Sequence, residues 1–129
     1  MSLSFGRDVL RPSLVRRPAF NSLAESAAAY DFACVACNST LYLDLLDLRR
    51  RAADASIMGA DHADAIREHF DIGIVGKSHD GGWPRFAVEV CHRCGTRYLV
   101  YLGWQEPNNG IDVISVQGIV ELRSGAASA

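Results

Sequence analysis

Lysine is almost missing from this chain: its basic residues are twelve arginines and Lys77, set against fifteen acids. The formal charge of −2 gives no global pull toward a polyanion. Long apolar runs are missing too. Nothing approaches the roughly 20 residues that a membrane-spanning helix needs, so no membrane role is expected. No secretory signal pattern opens the chain, which makes the cytoplasm the expected compartment. Catalytic constellations are equally scarce: there is no serine elbow, no metalloprotease His-Glu pair and no recognisable carboxylate pair. Gly73 to Ser78 ends like a phosphate-binding loop but carries Asp71 where that motif needs glycine. A turn cluster, His79 to Pro84, follows in place of the required helix. A non-catalytic role is the expectation.

What remains is an ordinary globular composition, 49% hydrophobic and 22% charged over 129 residues, enough for one domain with a real core. Cysteine occurs four times, and all four lie in two hooks, Cys34-Val35-Ala36-Cys37 and Cys91-His92-Arg93-Cys94. A hook that grips a tetrahedral ion needs two sulfurs on one tight turn. The residue after it often takes positive φ, where glycine is best and asparagine next. Asn38 and Gly95 stand at those places. Two such hooks form a closed four-thiolate set, the structural form of a metal site. One structural Zn2+ is therefore expected on Cys34, Cys37, Cys91 and Cys94, with iron as the alternative ion. Redox thiols are a rival reading, but a redox hook opens a helix, whereas Thr40 to Leu43 and Arg97 to Val100 have the character of strands. Two disulfides are another rival, and would require an oxidising compartment.

Through these four cysteines and their flanking hairpins the chain resembles the zinc-ribbon family, over about half its length. The resemblance implies structural ligands and a partner that is a nucleic acid or a protein. One departure stands out: 53 residues separate Cys37 from Cys91, where about 15–20 are usual. Lengthening a loop threefold costs only about 1 kcal/mol of closure entropy, against roughly 10–16 kcal/mol from structural zinc. The expected fold class is thus α+β, a zinc-ribbon-like antiparallel β-sheet with two short inserted helices.

In chain order, residues 1–21 form a basic arm carrying Arg7, Arg11, Arg16 and Arg17 against Asp8 alone, with Pro12 and Pro18 blocking a long helix. Its readings are an extended segment lying over the domain, a nucleic-acid arm, or a mitochondrial presequence. Residues 22–123 form the zinc-ribbon-like domain. Ser22-Leu23-Ala24-Glu25 has the form of a capping box and predicts a short helix to Tyr30. The helical insertion spans about 44–76. Its first helix is predicted over 45–57, from apolar positions Leu45, Leu48, Ala52 and Ala55 and the i,i+4 pairs Asp47–Arg51 and Arg50–Asp54. Arg49, Arg50 and Arg51 fan apart around such a helix, predicting a solvated side rather than a basic patch. A second helix is predicted from a cap at Asp61-His62-Ala63-Asp64 to Phe70, with Ala63, Ile66 and Phe70 inward and His62 and His69 at the surface.

The final third predicts a β-meander. Phe86, Val88 and Val90 alternate into the second hook; His92, inside it, is predicted exposed. Tyr98, Val100, Leu102 and Trp104 line one face of the next strand, with Leu99 and Tyr101 on the other. A strand apolar on both faces belongs at the centre of a sheet. Pro107 to Gly110 supplies a turn, Gly103 and Gly118 predict bulges, and 124–129 form a flexible tail. The expected function is a protein-binding module, an adaptor or inhibitor, with Trp83, Tyr98, Tyr101, Trp104, Arg93 and Arg97 as candidate contacts. Core packing is the alternative role of the aromatics. Nucleic-acid binding through Arg85, Arg93, Arg97 and the arm is the second expectation, and a thiol oxidoreductase is the third.

Overall fold

A computed structural model describes residues 3–11, 19–21, 29–72, 77–79, 82–108 and 111–124. The fold is α+β, with antiparallel sheets and a few short helices. Its strands are β1 (Ser4–Leu10), β2 (Ala19–Asn21), β3 (Ala29–Ala33), β4 (Thr40–Asp44), β5 (Trp83–Val90), β6 (Arg97–Asn108) and β7 (Ile111–Ser124). Two short helices, α1 (Leu45–Arg51) and α2 (Ala63–His69), lie between β4 and β5 with 3-10 turns at Ala55–Met58 and Ala60–His62. The main sheet runs β1-β7-β6-β5, with β2 also pairing β7, and β3 and β4 form a separate hairpin.

β6 lies inside that sheet, as its two apolar faces predict. Tyr98, Val100 and Leu102 enter one core with Phe32, Leu41, Leu43 and Leu48. Leu99 and Tyr101 enter the other, with Ala63, Ile66 and Phe70. The hairpin and α1 thus cover one face, and α2 covers the opposite one. Alternation along a strand is what divides the residues between the two cores.

β7 breaks that alternation, and a bulge explains how. Ile114, Val116 and Ile119 share the first core, whereas Val120 and Leu122 belong to the second. The register passes from Leu102↔Val116 to Tyr101↔Gly118, so Gln117 is the extra residue and the parity flips there. Gly118 is needed beside it, because a Cβ would lie 2.8 Å from the Phe70 ring. Gly103, by contrast, keeps regular register with Pro84 and Ser115 and marks no bulge.

The insertion departs from expectation in its first half. α1 stops at Arg51 because Ala53 leaves the helix to pair with β5, its N–H donating to Phe86 O at 2.8 Å and its carbonyl accepting at 2.7 Å. Asp54 then caps the 3-10 turn through the Ser56 N–H instead of pairing with Arg50. The Asp47–Arg51 pair does form, at 2.9 Å. The three arginines diverge: Arg49 lies over the Trp104 ring, Arg50 is exposed, and Arg51 also bonds Glu89 and the Val88 carbonyl. α2 has its predicted span and inward face, burying Ala63, Ile66 and the flanking Phe70. The predicted cap is absent: no side chain caps its start, which continues from the 3-10 turn at Ala60–His62.

Within the segment read as a basic arm, β1 is a strand of the main sheet. Arg7 donates its backbone N–H to the buried Glu121 and its guanidinium to the Val35 carbonyl at 2.8 Å. Arg11 pairs with Asp8 at 2.8 Å. Arg16, Arg17, the turn residues Asn109 and Gly110, the tail after Ser124 and most of the capping-box helix lie outside the described residues. Ala29 and Tyr30, at that helix's expected end, are already in β3.

Candidate metal centre

Each hook closes in the same way. In the first, the Cys34 N–H donates to Ser39 O at 2.8 Å and the Asn38 N–H donates to Cys34 O at 2.9 Å. In the second, Cys91 N–H to Thr96 O and Gly95 N–H to Cys91 O repeat the pattern at 2.8 and 2.7 Å. Asn38 and Gly95 take φ of 64° and 82°, the left-handed corner expected after each hook. Neither hook starts a helix: β4 begins at Thr40 and β6 at Arg97.

The β3–β4 hairpin and the β5–β6 connection bring the hooks face to face, with all four Sγ atoms within 4.8 Å of one another. Across the interface Cys34 stands 3.6 Å from Cys94, and Cys37 stands 3.6 Å from Cys91. A tetrahedral ion with metal–sulfur bonds of about 2.3 Å would set its sulfurs roughly 3.8 Å apart. The cluster therefore fits one metal ion with no protein ligand left over. Cys34 and Cys91 are buried, Cys37 is half-buried and Cys94 is exposed.

The surroundings favour thiolates at the two buried positions. Burial pushes the Cys34 thiol up, but the Tyr98 hydroxyl and the Cys37 and Ala36 N–H groups outweigh it and bring it down to about 6. The Ser39 hydroxyl and the Cys94 and Arg93 N–H groups also lower Cys91. At Cys94 the Thr96 hydroxyl and N–H pull down, yet burial and the neighbouring Cys34 and Cys37 sulfurs leave it raised. A lowered thiol favours the fold fully above its unfolded value, 9.0, and loses that contribution as pH falls through about 6. Metal binding needs the same thiolates and itself holds them against protons, so metal content measured against pH is expected to drop only on acidification below about 6.

Tyr98 is a support of this centre. Its hydroxyl donates to Cys34 Sγ at 3.1 Å and accepts the Val35 N–H at 2.9 Å. Burial, then the bond to Cys34, raises the phenol, so it stays a protonated donor. Tyr98→Phe is expected to lower stability by about 1–3 kcal/mol, since the Val35 N–H loses its partner, and to weaken metal retention against a chelator. An unchanged unfolding midpoint and unchanged chelator competition would contradict that role.

Ser39 and Thr96 complete the shell, each touching the second cysteine of its own hook at 3.0 Å. Neither was among the expected site residues. Their signal was the hydroxyl residue two places after each hook, in Asn38-Ser39 and Gly95-Thr96.

The other candidate residues are dispersed. Tyr98 and Tyr101 are fully buried and have no surface to offer a partner; the Tyr101 hydroxyl bonds His79 instead. Trp83 is 61% exposed. Its cross-strand neighbour Trp104 is half-buried, with the Arg49 and Arg85 guanidinium carbons 5.8 and 5.9 Å from its ring centre. Arg93 is exposed in the second hook beside the exposed His92, and Arg97 is half-buried at the start of β6. The surface placement of His62 and His69 needs correction. His62 is buried at the start of α2, while His69 stacks on Phe5 and bonds Asp8 at 2.8 Å, because β1 packs over that helix face.

No helix among the described residues is long and apolar enough to cross a membrane. Comparison with protein families, curated proteins and solved structures finds no match for this chain.

Proposed function

We propose that this protein is a non-catalytic zinc-ribbon-like module that uses one structural Zn2+ to hold a surface for a protein partner, as an adaptor or inhibitor does. The convergence of four thiol sulfurs within 4.8 Å carries the reading. A closed four-thiolate set leaves no position for substrate, and strands, not helices, follow both hooks. The ion ties together two hairpins that are otherwise linked through a long insertion. Exposed Tyr42, Trp83 and Val90 support the partner role, since large apolar side chains at a surface are candidate contacts.

Native mass spectrometry of reduced, untagged protein prepared without chelator tests both halves. One zinc per chain, and a second chain in the intact complex, are expected. Bridged or metal-free cysteines would sink the zinc reading and bring thiol redox chemistry forward. Iron would appear as a different added mass.

Nucleic-acid binding is the second reading, favoured by the paired arginines at Trp104 and the exposed Trp83. Bases stack on such rings while arginines meet phosphates. A steep loss of oligonucleotide affinity with added salt is its expected signature.

A further inference from the structure

A groove of about 350 Å³ runs between β4 and the end of β5, lined by Ser39 to Tyr42 and Glu89 to Arg93. Among the described residues both walls are sheet edges: β4 pairs only with β3, and β5 pairs only with β6 apart from the single bridge to Ala53. The hydrogen-bond phase shows which backbone groups face outward. Cys34 bonds Ser39, so the next pair, Ala33↔Thr40, is the non-bonded kind, and so is Asp31↔Tyr42. The N–H and C=O of Thr40 and Tyr42 therefore point away from β3.

On β5 the same phase runs from Cys91–Thr96 and turns the backbone of Val90, Val88 and Phe86 outward. Two of these positions are covered, Phe86 by Ala53 and the Val88 carbonyl by Arg51. Val90, in the groove, is covered by neither. Two of the three exposed large hydrophobic residues among those described, Tyr42 at 72% and Val90 at 37%, stand on opposite walls. Uncovered edges flanked by apolar side chains are what an added strand needs.

Charge narrows the occupant. The Glu89 carboxylate is held by Arg51, leaving exposed Arg93, among the described residues, as the open charge at the hook end of the groove. We infer that the groove is a docking site for an extended segment of a partner protein. This segment adds along the β4 edge, sets an apolar side chain between Tyr42 and Val90, and directs a carboxylate to Arg93. The inference rests on the protein-binding reading and names the surface and the class of partner.

The test uses the zinc-loaded full chain and a phage-displayed library of random linear peptides. Selected peptides are expected to be β-forming, with an apolar residue near an Asp or Glu. Binding to synthetic copies should weaken about tenfold or more in Tyr42→Ala and in Val90→Lys, and be unchanged in Glu68→Ala, an exposed position of α2 across the sheet. N-methylation at alternate peptide residues should abolish binding, and amide exchange should slow at Thr40, Tyr42 and Val90. Failure to select any peptide would overturn the inference, as would selected peptides that bind Tyr42→Ala equally well. So would an oligonucleotide, or a second copy of this chain, occupying the groove instead. A partner found in native complexes whose binding ignores Tyr42 and Val90 would overturn the groove yet leave the protein-binding function standing.

Discussion

Cys91→Ser is expected to abolish stable metal binding and, with it, cooperative folding at ambient temperature. Structural zinc contributes roughly 10–16 kcal/mol, as much as or more than the ~5–15 kcal/mol net stability of a typical domain. Cys91 is buried and faces Cys37 across the two hooks, so its loss opens the set at its inner side. The hooks are then kept opposed by the long Asn38–Val90 connection, the Tyr98 bond to Val35 and the packing of the β3–β4 hairpin on the main sheet, without the ion that joins their sulfurs. Zinc content by mass spectrometry and a thermal melt followed by circular dichroism should fall together. The control is Tyr42→Ala, which removes an exposed ring and should leave both unchanged. A folded, zinc-loaded Cys91→Ser protein would refute the site.

Phe70→Ala should be the most damaging change away from the metal, at about 3–5 kcal/mol. The ring is fully buried between α2 and the sheet, with Phe86 and Tyr101 ring centres 6.1 and 5.1 Å away. It also fills the space that Gly118 leaves free beside the β7 bulge. That packing is rigid, so truncation leaves a cavity that neighbours fill only in part. A urea titration should show a lower midpoint with a similar slope, and the folded fraction should keep its metal. Zinc loss in parallel with unfolding of α2 alone would contradict this independence, because Phe70 and the sulfurs lie on opposite sides of the sheet.

These two substitutions differ in how far sequence alone could anticipate them. The four-cysteine cluster was legible because its determinants are local. Two sulfurs on a four-residue turn, followed by a residue suited to positive φ, are set by covalent geometry and backbone sterics. The central place of β6 was legible for a similar reason, since period-two alternation with apolar residues at both parities has one comfortable location. α2 followed from its inward Ala63, Ile66 and Phe70.

Tertiary structure decided the rest, wherever an element's state depended on residues distant in sequence. The periodicity of 45–57 reads as one helix, but two hydrogen bonds from Ala53 to Phe86 end it early. Arg7 reads as an arm cation until Glu121, 114 residues away, takes its N–H and Val35 takes its guanidinium. β7 reads as an irregular apolar string until the extra residue at Gln117 resolves it into two faces. Tyr98 reads as an aromatic contact until the fold sets its hydroxyl on Cys34. Short-range geometry is carried by neighbouring residues in the chain, whereas pairing partners and burial are settled only when distant edges meet.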